Sequence, residues 1–128
     1  MNKFKYINNS GKEKSFKCIH IPLDIYGCDV RILMPKETKM YNKEMGYISN
    51  PEGGNTVNFL NQNSSVGIFL EGKSTPVVAH ELLHAVQMIM HHIGHNHAAG
   101  DADEPSAYLL TYLLNEYEKG LKLYNKKK

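Results

Sequence analysis

The chain has 128 residues, of which 41% are hydrophobic and 22% charged, a balance that fits one folded domain and excludes disordered and collagen-like architectures. Its longest uncharged apolar run, Thr75 to Met90, is broken by His80, Glu81 and His84, so no apolar stretch is long enough to cross a bilayer and no membrane partner is expected. A formal net charge of +2, with lysines clustered only at Lys126, Lys127 and Lys128, gives no basic face for a nucleic-acid partner and leaves that tail as a solvated terminus.

The start of the chain has cationic residues but no apolar block of signal-peptide length, which predicts a cytoplasmic protein. Cys18 and Cys28 are the two cysteines; their spacing fits neither a zinc knuckle nor a redox pair, and they read as free, partly buried thiols. Four runs then alternate or concentrate apolar residues in the manner of strands: Phe16 to Ile21, Asp29 to Met34, Thr56 to Leu60 and Val66 to Leu70. Turn-forming clusters lie at Asn50 to Asn55 and Asn61 to Ser65, the second of which should make a hairpin of the last two strands. The segment from Lys36 to Tyr47 follows no clear period.

Near Ser74 the period lengthens. Val78, Leu82, Ala85, Ile89 and Ile93 fall at steps of three and four, which predicts a helix with Thr75 as N-cap, Pro76 in its first turn and Gly94 as its stop. Ala107, Leu110, Leu114, Tyr117 and Leu121 define a second amphipathic helix. The expected architecture is an α+β single domain spanning residues 1–128, with a small antiparallel or mixed sheet over about 1–73 and helices over about 74–124.

The first helix carries His80-Glu81-Leu82-Leu83-His84. This HExxH spacing sets two imidazoles on one helical face, close enough to share a zinc ion, while Glu81 stands about 100° around the helix, placed to take a proton from a bound water without being a ligand. A chain of this composition would show the motif by accident about 0.03 times. A catalytic zinc needs a third protein ligand. The histidines further along, His91, His92, His95 and His97, give no tetrahedral site, since His91 is about 10 Å along the axis from His84. Three carboxylates precede the second helix. Glu104 is the expected third ligand, whereas Asp101 and Asp103 read as caps or as groups that orient a ligand imidazole. Tyr108, one turn beyond Glu104, is placed to help stabilise an oxyanion. Val66 to Leu70 would run along the cleft and pair with an extended peptide by strand addition.

His80-Glu-Leu-Leu-His84 followed by Asp103-Glu-Pro-Ser-Ala-Tyr108 resembles a zincin of the gluzincin type, in particular small phage-encoded metallopeptidase-like proteins. It is also distantly similar to the ImmA/IrrE-type cytoplasmic proteases. The resemblance covers about residues 66 to 114, and the chain lacks the Asn-Glu start of the larger gluzincins' second motif and any separate substrate-binding domain. It implies a minimal zincin-like fold with an active-site helix and a second, ligand-bearing helix. By the same resemblance one zinc per chain is held by His80, His84 and Glu104, with Glu81 as general base of a peptidase acting on a peptide or protein substrate. The alternative is a weakly active or inactive zincin-fold protein that binds a host or viral partner.

Overall fold

The computed structural model describes residues 3–47, 53–94 and 104–126. The described chain is α+β, with two sheets and four helices. Strands β1 (Lys3–Ile7) and β2 (Glu13–Lys17) form an antiparallel hairpin. Its turn is closed by Asn8, whose Oδ1 accepts the backbone N–H groups of Ser10 and Lys12 at 2.9 and 3.0 Å. Strands β3 (Ile19–Leu23), β4 (Cys28–Leu33), β5 (Gly54–Phe59) and β6 (Ser65–Leu70) build a mixed sheet in the order β3-β4-β6-β5, in which only β4 and β6 run parallel. The helices are α1 (Pro35–Met45), the single turn α2 (Leu60–Asn63), α3 (Thr75–His92) and α4 (Glu104–Lys126). None of them is long and apolar enough to cross a membrane.

The mixed sheet is the middle of three layers. Alternation along β4 sends Val30 and Ile32 to one face and Leu33 to the other. The first face packs on Leu82, Ala85, Val86 and Ile89 of α3 and on Leu109, Leu113 and Tyr117 of α4. The second face carries Phe69 and Leu33 against Phe4 and Tyr6 of the hairpin and Tyr41 of α1. With both faces covered, all six residues of β6 are buried, as expected for a strand that reads as a continuous apolar run. Arg31 ties the layers together, donating to the Lys3 carbonyl at 2.6 Å and to Asp29 Oδ2 at 3.0 Å. Burial works to raise the Asp29 carboxyl, but hydrogen bonds from Arg31, Ser65 and His20 outweigh it and hold that group below the usual carboxylate range.

Several expectations need correction. The run from Phe16 to Ile21 is two strands, because the chain leaves the hairpin at Cys18 and enters the other sheet. Residues 3–7 add a strand, and the segment from Lys36 to Tyr47 is mostly α1, whose buried residues include Glu37, Thr38 and Asn42 and so hide its apolar period. Thr75 is the first residue of α3 and not its N-cap; Ser74 takes that place in an extended conformation. Of the expected α3 stripe, Val78, Leu82, Ala85 and Ile89 are buried, whereas Ile93 is exposed as the C-cap of the helix, with Gly94 left-handed (φ 84°) just beyond it. The α4 stripe is rotated: Leu109, Leu113 and Tyr117 are buried, Leu110, Leu114 and Leu121 pack at its margin, and Ala107 is exposed. β5 and β6 do pair antiparallel, joined through α2 and Ser64. Both cysteines are free and buried. The residues Asn50, Pro51 and Glu52, the side chains of His95, His97, Asp101 and Asp103, and Lys127 and Lys128 lie outside the described residues.

Candidate functional site

The HExxH segment occupies the second and third turns of α3. Pro76 in the first turn and the buried stripe of Val78, Leu82, Ala85 and Ile89 fix the rotation of this helix on the sheet. That rotation leaves His80 and His84 exposed and turns Glu81 inward, where it is 5% exposed. The two imidazoles stand with Nε2 atoms 3.1 Å apart and ring planes at 82°. Two nitrogens each bound to one tetrahedral zinc lie about 3.4 Å apart, so the pair fits two corners of such a site with little adjustment. In the structure the pair is joined by a hydrogen bond between those same nitrogens.

Glu81 is set by β5. Thr56 Oγ1 donates to Glu81 Oε1 at 2.5 Å, with the Glu81 backbone carbonyl as a second acceptor at 3.2 Å. Gly54, two residues earlier on the same face of the strand, leaves room for the carboxylate: a Cβ there would lie 3.1 Å from Glu81 Cγ and 3.4 Å from Oε2. One oxygen is thus held by a hydroxyl, while the other stands against a bare backbone. Thr56 and Gly54 were not singled out in the sequence; the only signal was the strand alternation that places residues 54, 56 and 58 on one face.

The remaining expected residues are dispersed. Glu104 is the exposed first residue of α4, and Tyr108 is 70% exposed one turn later. Among the described residues no group of three or more His, Cys, Asp or Glu side chains is close enough to hold one ion, so Glu104 is not assembled with His80 and His84. The chain that joins α3 to α4 lies outside the described residues. His91 and His92 sit exposed in the last turn of α3. Strand addition to Val66 to Leu70 is ruled out by the sheet itself, because β6 is paired with β4 on one side and β5 on the other. The edge beside Glu81 belongs to β5, which among the described residues pairs with β6 alone.

Comparison with protein-family models, with curated proteins and with solved structures finds no match to this chain.

Proposed function

We propose that this chain is a minimal zincin-like, zinc-dependent peptidase in which His80 and His84 hold the metal and Glu81 is the general base. The observation that carries the reading is the pair of exposed imidazoles with nitrogens 3.1 Å apart, flanking a buried carboxylate on the next residue. When bound, zinc supplies a Lewis acid that makes its water acidic and polarises a scissile carbonyl. The third donor in this proposal is Glu104, the exposed first residue of α4, and metal binding would be coupled to bringing that residue to the pair. Glu81 receives the proton of the attacking water and passes it to the leaving amine. Thr56 holds Oε1 during that exchange, which keeps the carboxylate in one rotamer. Tyr108, one turn beyond Glu104, is the proposed oxyanion donor. The outer edge of β5, which among the described residues pairs with no further strand, lies next to Glu81 and gives an extended substrate a backbone to pair with. A phage origin belongs to the same proposal and rests on the sequence resemblance.

Metal content of tag-free protein, measured by plasma mass spectrometry for wild type, His84→Ala and Glu104→Ala, tests it. The expected result is one zinc per chain in wild type and its loss or sharp weakening in both variants, with Glu81→Gln keeping zinc but losing hydrolysis. Wild type that takes up no zinc under loading, or His84→Ala that retains it fully, overturns the assignment.

A further inference from the structure

Where the hairpin, β3 and the C-terminal half of α4 meet, the chain makes a basic cavity that the proposed chemistry does not use. It holds about 280 Å³. Lys3, Lys17 and His20 supply its basic groups, and no carboxylate lines it. Ile19, Leu123 and Tyr124 give it an apolar wall, which Cys18 and Gly120 complete. Along α4, Gly120 stands about 24 Å from Glu104, the proposed third zinc donor.

The charges around this cavity do not balance. Lys3 and Lys17 are directly opposite each other in the β1–β2 register, a placement in which like charges repel. Among the described residues neither has a carboxylate partner. Lys17 is half-buried and lies instead over the Tyr124 ring, with its Nζ 4.0 Å from the centroid. The acids that could have answered the lysines are engaged elsewhere. Asp29 is held by Arg31 at 3.0 Å and by His20 at 2.9 Å, and Glu37 accepts the Tyr124 hydroxyl at 2.6 Å. Two ammonium groups thus line one cavity whose walls carry no countercharge.

The donor types narrow what the cavity can accept. The guanidinium fork of Arg31, the group best matched to a planar carboxylate, is already taken by Asp29 and by the Lys3 carbonyl. What remains is a pair of separate, freely rotating ammonium groups, which suit the dispersed oxygens of a tetrahedral phosphate. A dianion set between them turns the cross-strand repulsion into attraction. His20, whose Nε2 is held by Asp29, offers its other ring nitrogen as a further polar group. The cavity is near the lower end of the size range of small-molecule sites, and its apolar wall beside the lysines suits a small organic body. We infer that this cavity binds a small organic phosphate monoester, with the phosphate between Lys3 and Lys17 and the organic group against Ile19 and Leu123. None of its residues belongs to the proposed peptidase site, so the two stand or fall separately.

Isothermal titration calorimetry of the full chain, passed over chelating resin so that no metal contributes phosphate affinity, compares phenyl phosphate, inorganic phosphate and benzoate at neutral pH and low salt. Phenyl phosphate should bind with a Kd below about 1 mM and at least about tenfold more tightly than benzoate, which keeps the ring and loses the dianion. Lys3→Gln and Lys17→Gln should each weaken phenyl phosphate at least about tenfold, the loss of a charge-assisted contact, with circular dichroism unchanged. Leu123→Ser, at a position 58% exposed, should remove the advantage of phenyl phosphate over inorganic phosphate. No binding of phenyl phosphate up to about 10 mM, equal affinity for benzoate, or an affinity that survives both Gln variants overturns the inference. A single-stranded oligonucleotide that binds far more tightly than phenyl phosphate, and loses its affinity in both Gln variants, reassigns the lysines to a polymer backbone and also overturns it.

Discussion

Replacing Thr56 by valine removes one hydroxyl and keeps the β-branched shape that a strand favours. In the wild type that hydroxyl lies 2.5 Å from Glu81 Oε1, and Glu81 is 5% exposed, so little water can take its place. A hydrogen bond to an ionised group contributes about 1.5–3 kcal/mol, and a buried acceptor left without its partner falls in the upper half of that range, giving an expected loss of about 2–3 kcal/mol. Urea unfolding followed by circular dichroism reads this as a lower midpoint at unchanged slope. Thr56→Ser should recover most of the loss. In a Glu81→Ala background the same Thr56→Val change should cost about 1 kcal/mol or less, because only the carbonyl at 3.2 Å remains to be lost. A wild-type loss below about 0.5 kcal/mol, or one that is the same with and without the Glu81 carboxylate, refutes the idea that Thr56 positions the proposed base.

Three further outcomes follow from the packing. Gly120 lies inside α4, where alanine would ordinarily add about 1 kcal/mol of helix propensity. Its Cβ would press into Ile19 Cγ2, with Ile19 Cβ and Cγ1 both at 3.5 Å, so Gly120→Ala should destabilise by about 1 kcal/mol net and become stabilising when Ile19 is alanine, measured by the same denaturation. Burial first, and its hydrogen bond to the Glu37 carboxylate at 2.6 Å second, push the Tyr124 phenol from 10.0 up to about 12. A pKa raised on folding favours the fold fully below the unfolded value and loses that contribution between pH 10 and about 12; phenolate absorbance of Tyr124→Phe should lack the highest step, and the variant's alkaline loss of stability should be shallower. Burial pushes the Cys18 thiol up to about 11, so a disulfide reagent at neutral pH should react slowly with native protein and rapidly in guanidinium, whereas fast native reaction would contradict the packing at Cys18.

The parts of the fold that were readable are those in which the polarity pattern follows the burial pattern. α3 presents a wet face and a dry face, and its period showed in Val78, Leu82, Ala85 and Ile89. β6 is dry on both faces and appeared as an unbroken run. α1 was hidden for the opposite reason: its buried positions include Glu37, Thr38 and Asn42, which satisfy themselves through partners such as Tyr124 on α4 and the Leu33 carbonyl, so polarity pattern and burial pattern disagree. The rotation of α4 is a finer case. Choosing between the Leu110 and Leu109 stripes depends on where β3 and α3 lie, and Gly120 packs against Ile19 at a spot no helical period marks.

The candidate site divides along the same line. A helix alone fixes the relation of His80, Glu81 and His84, because residues one and four apart on a 3.6-residue period hold their places whatever surrounds them. What Glu81 touches is a property of the sheet order, since β5 reaches α3 only because β6 carries it to the outside edge of the sheet. Among the described residues the same order puts the outer edge on β5 and not on β6, one strand width of about 4.8 Å away. Gly54 and Thr56 therefore gain their meaning together: a small residue where the carboxylate leans, and a hydroxyl one alternation later to hold it. A substitution at either should act through Glu81 and leave the His80–His84 pair untouched, which separates the positioning of the proposed base from the holding of the proposed metal.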